Sequence, residues 1–226
     1  MSMAWEDLLF AHWPVPADAL RKLIPPGLEL DRFENEAWLG VVPFRMADTR
    51  LRGLPAVPGT AAFPELNVRT YVTAGGKPGV WFFSLDAGSR LAVRTARTFF
   101  HLPYFDARMT VRANDGAVSY ESVRTHRGAA AAEFRATYRP LGEIQPAGSG
   151  SIEQWLVERY CLYAADRRGR VWRGDIHHAP WPLQRAEAEI ERNTMADALS
   201  VDLPDTPPLL HFARRLDVAA WRLVAA

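Results

Sequence analysis

Between Glu65 and Val72 the chain alternates with a period of two, with Glu65, Asn67, Arg69 and Tyr71 on one set of positions and Leu66, Val68, Thr70 and Val72 on the other. Two is the period of a β-strand, whose successive side chains leave opposite faces. A helix would scatter both sets around its axis. The stretch therefore predicts a strand over 65–73 with one apolar face to cover and one strongly polar face. By pattern alone, the polar face reads as the solvent side of a half-buried sheet.

Comparable runs recur along the chain. Residues 5–13, 37–45, 79–86, 106–113, 117–125, 132–141, 171–178 and 210–222 read as strands, and in the first of them Glu6, Leu8, Phe10 and His12 share a face. Asn114-Asp115-Gly116 joins two of these runs with residues that tolerate positive φ, a hairpin signal. Residues 183–192 are ambiguous, because Ala186, Ala188 and Ile190 alternate with glutamates while Ala and Glu favour helix; a strand is the reading adopted. Helices are few. One over 17–23 stops at Pro25-Pro26-Gly27. A second runs from Gly88 to His101, with Leu91, Thr95 and Thr98 or Phe99 on one side. A third carries Trp155 to Tyr163 behind a capping box of Ser151 and Gln154. The expectation is a mainly β, barrel-like chain with accessory helices, forming one domain over 1–226, since β-barrels of roughly 200–250 residues commonly stay undivided.

Composition removes several function classes. The net charge of +1 gives no broad electrostatic footprint for nucleic acid. No segment reaches the roughly 18 apolar residues of a membrane helix, and the start lacks a signal-like basic flank and apolar stretch, so a cytoplasmic location is the default expectation. Cys161 stands alone, which rules out an internal disulfide, and it reads as a small core hydrophobe. There is no glycine-rich phosphate loop, Gly-x-Ser-x-Gly elbow or zinc-protease helix, and no cofactor is expected. His177-His178 invites a metal reading, but neighbours on a strand point to opposite faces and no other ligand stands at suitable spacing, so no metal site is expected. His211, His101 and His126 have no partner identifiable from sequence.

Ala96-Arg97-Thr98, followed by Pro103-Tyr104-Phe105, resembles the active-site segment of acetoacetate decarboxylase. There a Gly-Arg-Glu opening leads through a proline to two adjacent lysines, the first of which forms a Schiff base with the substrate ketone. Asp18 to Glu29 matches the N-terminal helix and turn of the same superfamily without a gap. Likeness to its YqjF-like branch extends through Trp38–Phe44, Glu65–Tyr71 and Ile176–Trp181, nearly the whole chain. The resemblance implies a β-barrel with a few helices around a small-molecule cavity, and it brings no assigned reaction. Tyr104 and Phe105 stand where the lysines would be, and a phenol cannot form an imine. The remaining lysines, Lys22 and Lys77, lie on the first helix and in a Gly-rich turn, poor places for a Schiff base.

The resemblance also turns the polar face of 65–73 inward, because Glu65 falls at the superfamily's active-site glutamate. Glu65 and Tyr104 are then candidate catalytic residues. Arg69, Asn67, His12 and Arg97 are candidate substrate-binding residues. A carboxylate beside an arginine stays ionised unless burial outweighs the pair. Tyr104 either polarises a ligand oxygen or merely fills the space the lysines leave. Glu6 falls at the superfamily's substrate-binding arginine, where a carboxylate would repel an acid, so His12 on the same face is the alternative pocket residue. Arg90, Arg94 and Arg97 recur at helical spacing, as a solvated face or an anion grip. Three readings follow. The first is a pocket protein, a lyase or hydratase-type enzyme acting on a carbonyl or carboxylic compound without a Schiff base. The second is a non-catalytic ligand-binding module, and the third an oligomer-forming scaffold with the pocket filled. They divide on whether Glu65 and Tyr104 converge.

Overall fold

A computed structural model describes residues 1–50 and 61–226. In chain order its elements are β1 (Ser2–Val15), α1 (Ala17–Arg21), β2 (Glu29–Leu30), β3 (Ala37–Arg50), β4 (Phe63–Ala74), β5 (Lys77–Ala87), α2 (Arg90–Phe99), β6 (Tyr104–Asn114), β7 (Ala117–Arg124), β8 (Glu133–Leu141), α3 (Ile152–Val157), β9 (Cys161–Ala165), β10 (Val171–His178), β11 (Gln184–Asn193), β12 (Leu209–Ala220) and β13 (Val224–Ala225). Among the described residues 13 strands join one sheet, and the fold is mainly β with three short α-helices. The ambiguous segment 183–192 is indeed a strand, β11, paired with β8 and β12. The hairpin turn is Asp115-Gly116, with φ of 48° and 80°, the backbone that favours Asp-Gly.

The sheet closes on itself twice. β4 pairs with β5, so β5-β6-β7-β8-β11-β12-β1-β3-β4 forms a larger ring. β9 pairs with β5 and β10 with β12, so β5-β9-β10-β12-β1-β3-β4 forms a smaller ring. The rings share the wall β12-β1-β3-β4-β5. On β5 the fork is visible in the register: Val80 and Trp81 pair with β9, while Leu85 to Ala87 pair with β6. Phe83 lies between them, skipped by β4, which pairs with Phe82 and Ser84. One extra residue bends a strand and increases its twist, which lets the sheet diverge here.

A wall between two interiors is covered on both faces, and β1, β3 and β4 are buried almost without interruption. The outer strands β7 and β8 alternate between buried and less covered positions, as strands with one wet face do. Leu9, Leu39, Leu66, Val68, Tyr120, Phe134 and Tyr138 pack in the larger ring. Leu8, Phe10, Phe44, Tyr71, Leu156 and Trp181 pack in the smaller.

Several local expectations need correction. In β1, Asp7 has a φ of 52°, and the strand carries one extra residue against β3 between Glu6 and Ala11. The alternation shifts, so Trp5 packs on the same side as Leu8 and Phe10, and Glu6 turns away to Arg45 and Arg215. Glu6 therefore does not share the face of His12. In α2, the covered residue is Val93, whereas Leu91 and Phe99 are 53% and 70% exposed. The third helix ends at Val157, and Cys161 begins β9, where it is buried against Gly79. Its start is capped by Ser151 Oγ, but the Gln154 side chain accepts from Gly150 N–H rather than closing the box on Ser151. Among the described residues, no helix is long and apolar enough to cross a membrane.

Candidate functional site

β4 carries the site because its two faces belong to different rings. Leu66 and Val68 enter the larger core, and Glu65, Asn67, Arg69 and Tyr71 point into the smaller. The polar face is thus inside, not in solvent. Glu65, Asn67 and Arg69 are 3%, 5% and 9% exposed. From the other side of the wall, the Tyr120 hydroxyl donates to the Glu65 and Phe44 carbonyls, at 2.7 and 3.2 Å, fixing the backbone under the carboxyl group.

Tyr104 reaches Glu65 across the parallel β5–β6 pairing, in which Leu85 is opposite Tyr104. Its hydroxyl donates to Glu65 Oε2 at 2.8 Å. Burial pushes the Glu65 carboxyl up to about 8, and the phenol's hydrogen bond only partly offsets this. Burial, then the neighbouring carboxyl, holds the Tyr104 phenol well above its ordinary range. At neutral pH the pair carries both protons, one on the phenol and one on the acid. Burial therefore outweighs any pairing with Arg69, which lies two alternations along the strand. Phe105, next on β6, points the other way, its ring 4.4 Å from the Arg124 guanidinium.

The far end of the polar face is cationic. The Arg69 guanidinium lies 5.3 Å from the Phe10 ring centre and 5.7 Å from that of Tyr71. Beside it, His12 Nε2 and the Tyr71 hydroxyl are 2.7 Å apart. Burial first, then Arg69 and His211, hold His12 well below its ordinary value, so the imidazole is neutral at pH 7. Gly40 makes this packing possible: a Cβ there would sit 2.9 Å from His12 Cδ2 and 3.3 Å from Arg69 Cγ. Among the described residues, no carboxylate lies within ion-pair distance of Arg69. The buried His12 Nδ1, Trp38 Nε1, Asn67 Oδ1, Arg69 Nε, Trp181 Nε1 and His211 Nδ1 have no partner among the described residues. Buried polar atoms are normally paired, and each left unmatched costs about 1–3 kcal/mol.

Four of the six sequence candidates thus line this side of the wall, with Tyr104 reaching in from β6. Arg97 stands apart, exposed on α2, donating to the Tyr104 carbonyl at 2.6 Å. Arg94 is tied to Asp106. Lys22 is exposed, and Lys77 pairs with Asp175 at 2.8 Å. His177 is exposed and His178 buried, on opposite faces, with His178 stacked on Tyr160. Among the described residues, no group of three or more His, Cys, Asp or Glu is placed to hold a metal. Sequence reasoning missed Trp38 and Arg159, and it left His211 without a role. Arg159 is 5% exposed, bonded to Asp31 at 2.6 Å across 128 residues of sequence, a pairing with no local signal.

Residues 2–217 match DUF2071, a family described as an uncharacterised conserved protein. The chain belongs to that family. Uncharacterised protein YqjF of Bacillus subtilis (strain 168) is 52% identical to this DUF2071 chain over 223 residues, covering 99% of the chain and 91% of YqjF. Among solved structures, acetoacetate decarboxylase superposes with a TM-score of 0.69 at 15% identity, over 100% of this chain and 89% of that one. The enduracididine biosynthesis enzyme MppR complexed with pyruvate gives 0.67 at 10% identity, over 99% and 89%. An acetoacetate decarboxylase-like enzyme from Sphingomonas wittichii RW1 gives 0.67 at 13%, over 100% and 92%. The DUF2071 chain has the acetoacetate decarboxylase-like fold.

Proposed function

We propose that this chain is a small-molecule pocket protein, a lyase or hydratase-type enzyme that handles a carbonyl or carboxylic compound by proton transfer and not through a Schiff base. The observation that carries the reading is the buried Glu65–Tyr104 pair, with a carboxyl raised to about 8. Such a group is a proton donor at neutral pH, within the range where general acids work well. Because Oε2 accepts from the phenol, the acid proton resides on Oε1, free to meet a ligand oxygen. Tyr104, whose single hydroxyl proton is given to Oε2, strengthens that acid, and polarises a ligand oxygen only where the ligand displaces this hydrogen bond. Arg69 holds an anionic group, with Asn67 and His12 completing the polar face. Both lysines are engaged or exposed away from this face, which supports chemistry without an imine.

The competing reading, a binding module without catalysis, has one observation in its favour: the Tyr104 hydroxyl already has a full partner in Glu65. A thermal-shift screen of the wild type and Glu65→Gln against small keto acids, hydroxy acids and neutral carbonyl compounds tests the site. Stabilisation of the wild type that changes in the variant places recognition at Glu65, and turnover of the same compound separates enzyme from binding module. Stabilisation identical in both proteins would remove Glu65 from the site.

A further inference from the structure

Four neighbouring strands of the larger ring, β6-β7-β8-β11, turn one face to the core and the other outward. Val111, Tyr120, Ala136 and Ile190 lie in register across them and pack inward. The adjacent row is Arg112, Ser119, Thr137 and Glu189, likewise in register, and all four are exposed.

Charge on this outer face is segregated by strand. From 107 to 114, β6 carries Arg108 and Arg112 and no acid, whereas β11 lines up Glu187, Glu189 and Glu191. On the two middle strands Glu121 and Arg135 are directly opposite and meet at 3.1 Å. Arg112 and Glu189 have no such outlet. They stand three strands apart, about 14 Å at the usual strand spacing, with only short hydroxyl side chains between them. Among the described residues neither has an ion-pair partner.

The row is its own complement. A two-fold axis lying in the contact plane, parallel to the strands and between β7 and β8, lays each row on the same row of a second copy in reverse order. Arg112 of each copy then faces Glu189 of the other, Ser119 faces Thr137, and in the next row Glu121 faces Arg135. An axis along the row would instead set Arg112 on Arg112 and Glu189 on Glu189, which is repulsive. Four strands over about seven residues present about 450 Å² per copy, the size of a weak and reversible contact.

We propose that this chain forms a reversible, salt-sensitive dimer in which the outer face of β6-β7-β8-β11 meets the same face of a second copy about a two-fold axis parallel to the strands.

Sedimentation velocity of the wild type, Arg112→Glu, Glu189→Arg and an equimolar mixture of the two variants tests it. Both positions are exposed, so neither change touches the core. The wild type should dimerise at about 100 µM in low salt and dissociate at about 0.5 M salt, where exposed charges are screened. Each variant alone sets like charges opposite each other and should associate about tenfold more weakly or worse. Their mixture restores opposite charges at both contacts and should recover the dimer. A wild type that stays monomeric at about 100 µM in low salt would overturn the proposal. So would a dimer that neither reversal weakens, which would place the contact on another face, or a mixture that fails to recover it.

Discussion

The two faces of the wall β12-β1-β3-β4-β5 are made by the same strands and do opposite things. Toward the larger ring, Leu66 and Val68 pack against aliphatic and aromatic side chains, and the deep hydroxyls of Tyr120 and Tyr138 each find a backbone carbonyl. Toward the smaller ring, alternate residues of the same strand are Glu65, Asn67 and Arg69, and several buried polar atoms have no partner among the described residues. One face supplies stability and the other is held in a costly state by it. A packed scaffold on one side lets unsatisfied polar groups persist on the other, which is what the proposed pocket requires.

The largest effect should come from the larger-ring side. Asp86 and Arg124 form a buried pair there, with side chains 0% and 4% exposed and a contact of 2.7 Å. Arg124→Ala leaves a buried carboxylate alone and should cost about 3–5 kcal/mol in urea unfolding. Leu66→Ala, which opens a cavity in the same core, should cost about 2–5 kcal/mol. If either change proves neutral, the claim that this face carries the stability fails.

The polar face should respond with the opposite sign or with pH. Glu65 is raised on folding from its ordinary 4.5 to about 8, so the folded chain keeps a proton that the unfolded chain releases. That contribution is fully present below about pH 4.5 and is lost as the pH climbs toward about 8. Relative to Glu65→Gln, the wild type should lose about 1.4 kcal/mol per pH unit across this window, measured by denaturant titrations at several pH values. Arg69→Met replaces a buried cation that has no carboxylate partner among the described residues by an apolar chain of similar length. It should leave stability unchanged or raise it by about 1 kcal/mol while abolishing anion binding. A loss of several kcal/mol would mean that Arg69 is structural. Tyr104→Phe removes a hydrogen bond that lowers the Glu65 carboxyl, so it should cost about 1 kcal/mol and move the Glu65 titration further up.

Much of this division was legible in the sequence. The alternation at Glu65–Val72 by itself defines the two faces of β4, because strand geometry has a fixed period. Which face lies inside was not legible from the pattern, since a polar face normally means water. Only the likeness to acetoacetate decarboxylase pointed inward. The β1 face assignment went astray at Asp7, where a single left-handed residue shifts the alternation; Asp tolerates that backbone, but one Asp inside a long strand pattern does not announce a bulge. Arg159 stayed hidden for a different reason: its partner Asp31 is 128 residues away, and such a pairing leaves no local spacing to read. The expected helix through Tyr163 failed because apolar runs of that length fit a short helix followed by a strand equally well.

The proposed chemistry depends most directly on the protonation of Glu65. Carbon-detected NMR of glutamate-labelled protein, with Glu65→Gln to assign the resonance, would follow its carboxyl through pH 4 to 9. A midpoint near 8, displaced upward in Tyr104→Phe, is the predicted result. A midpoint at the ordinary 4.5 would show a solvated or ion-paired carboxylate and contradict the buried acid on which the proposed chemistry depends.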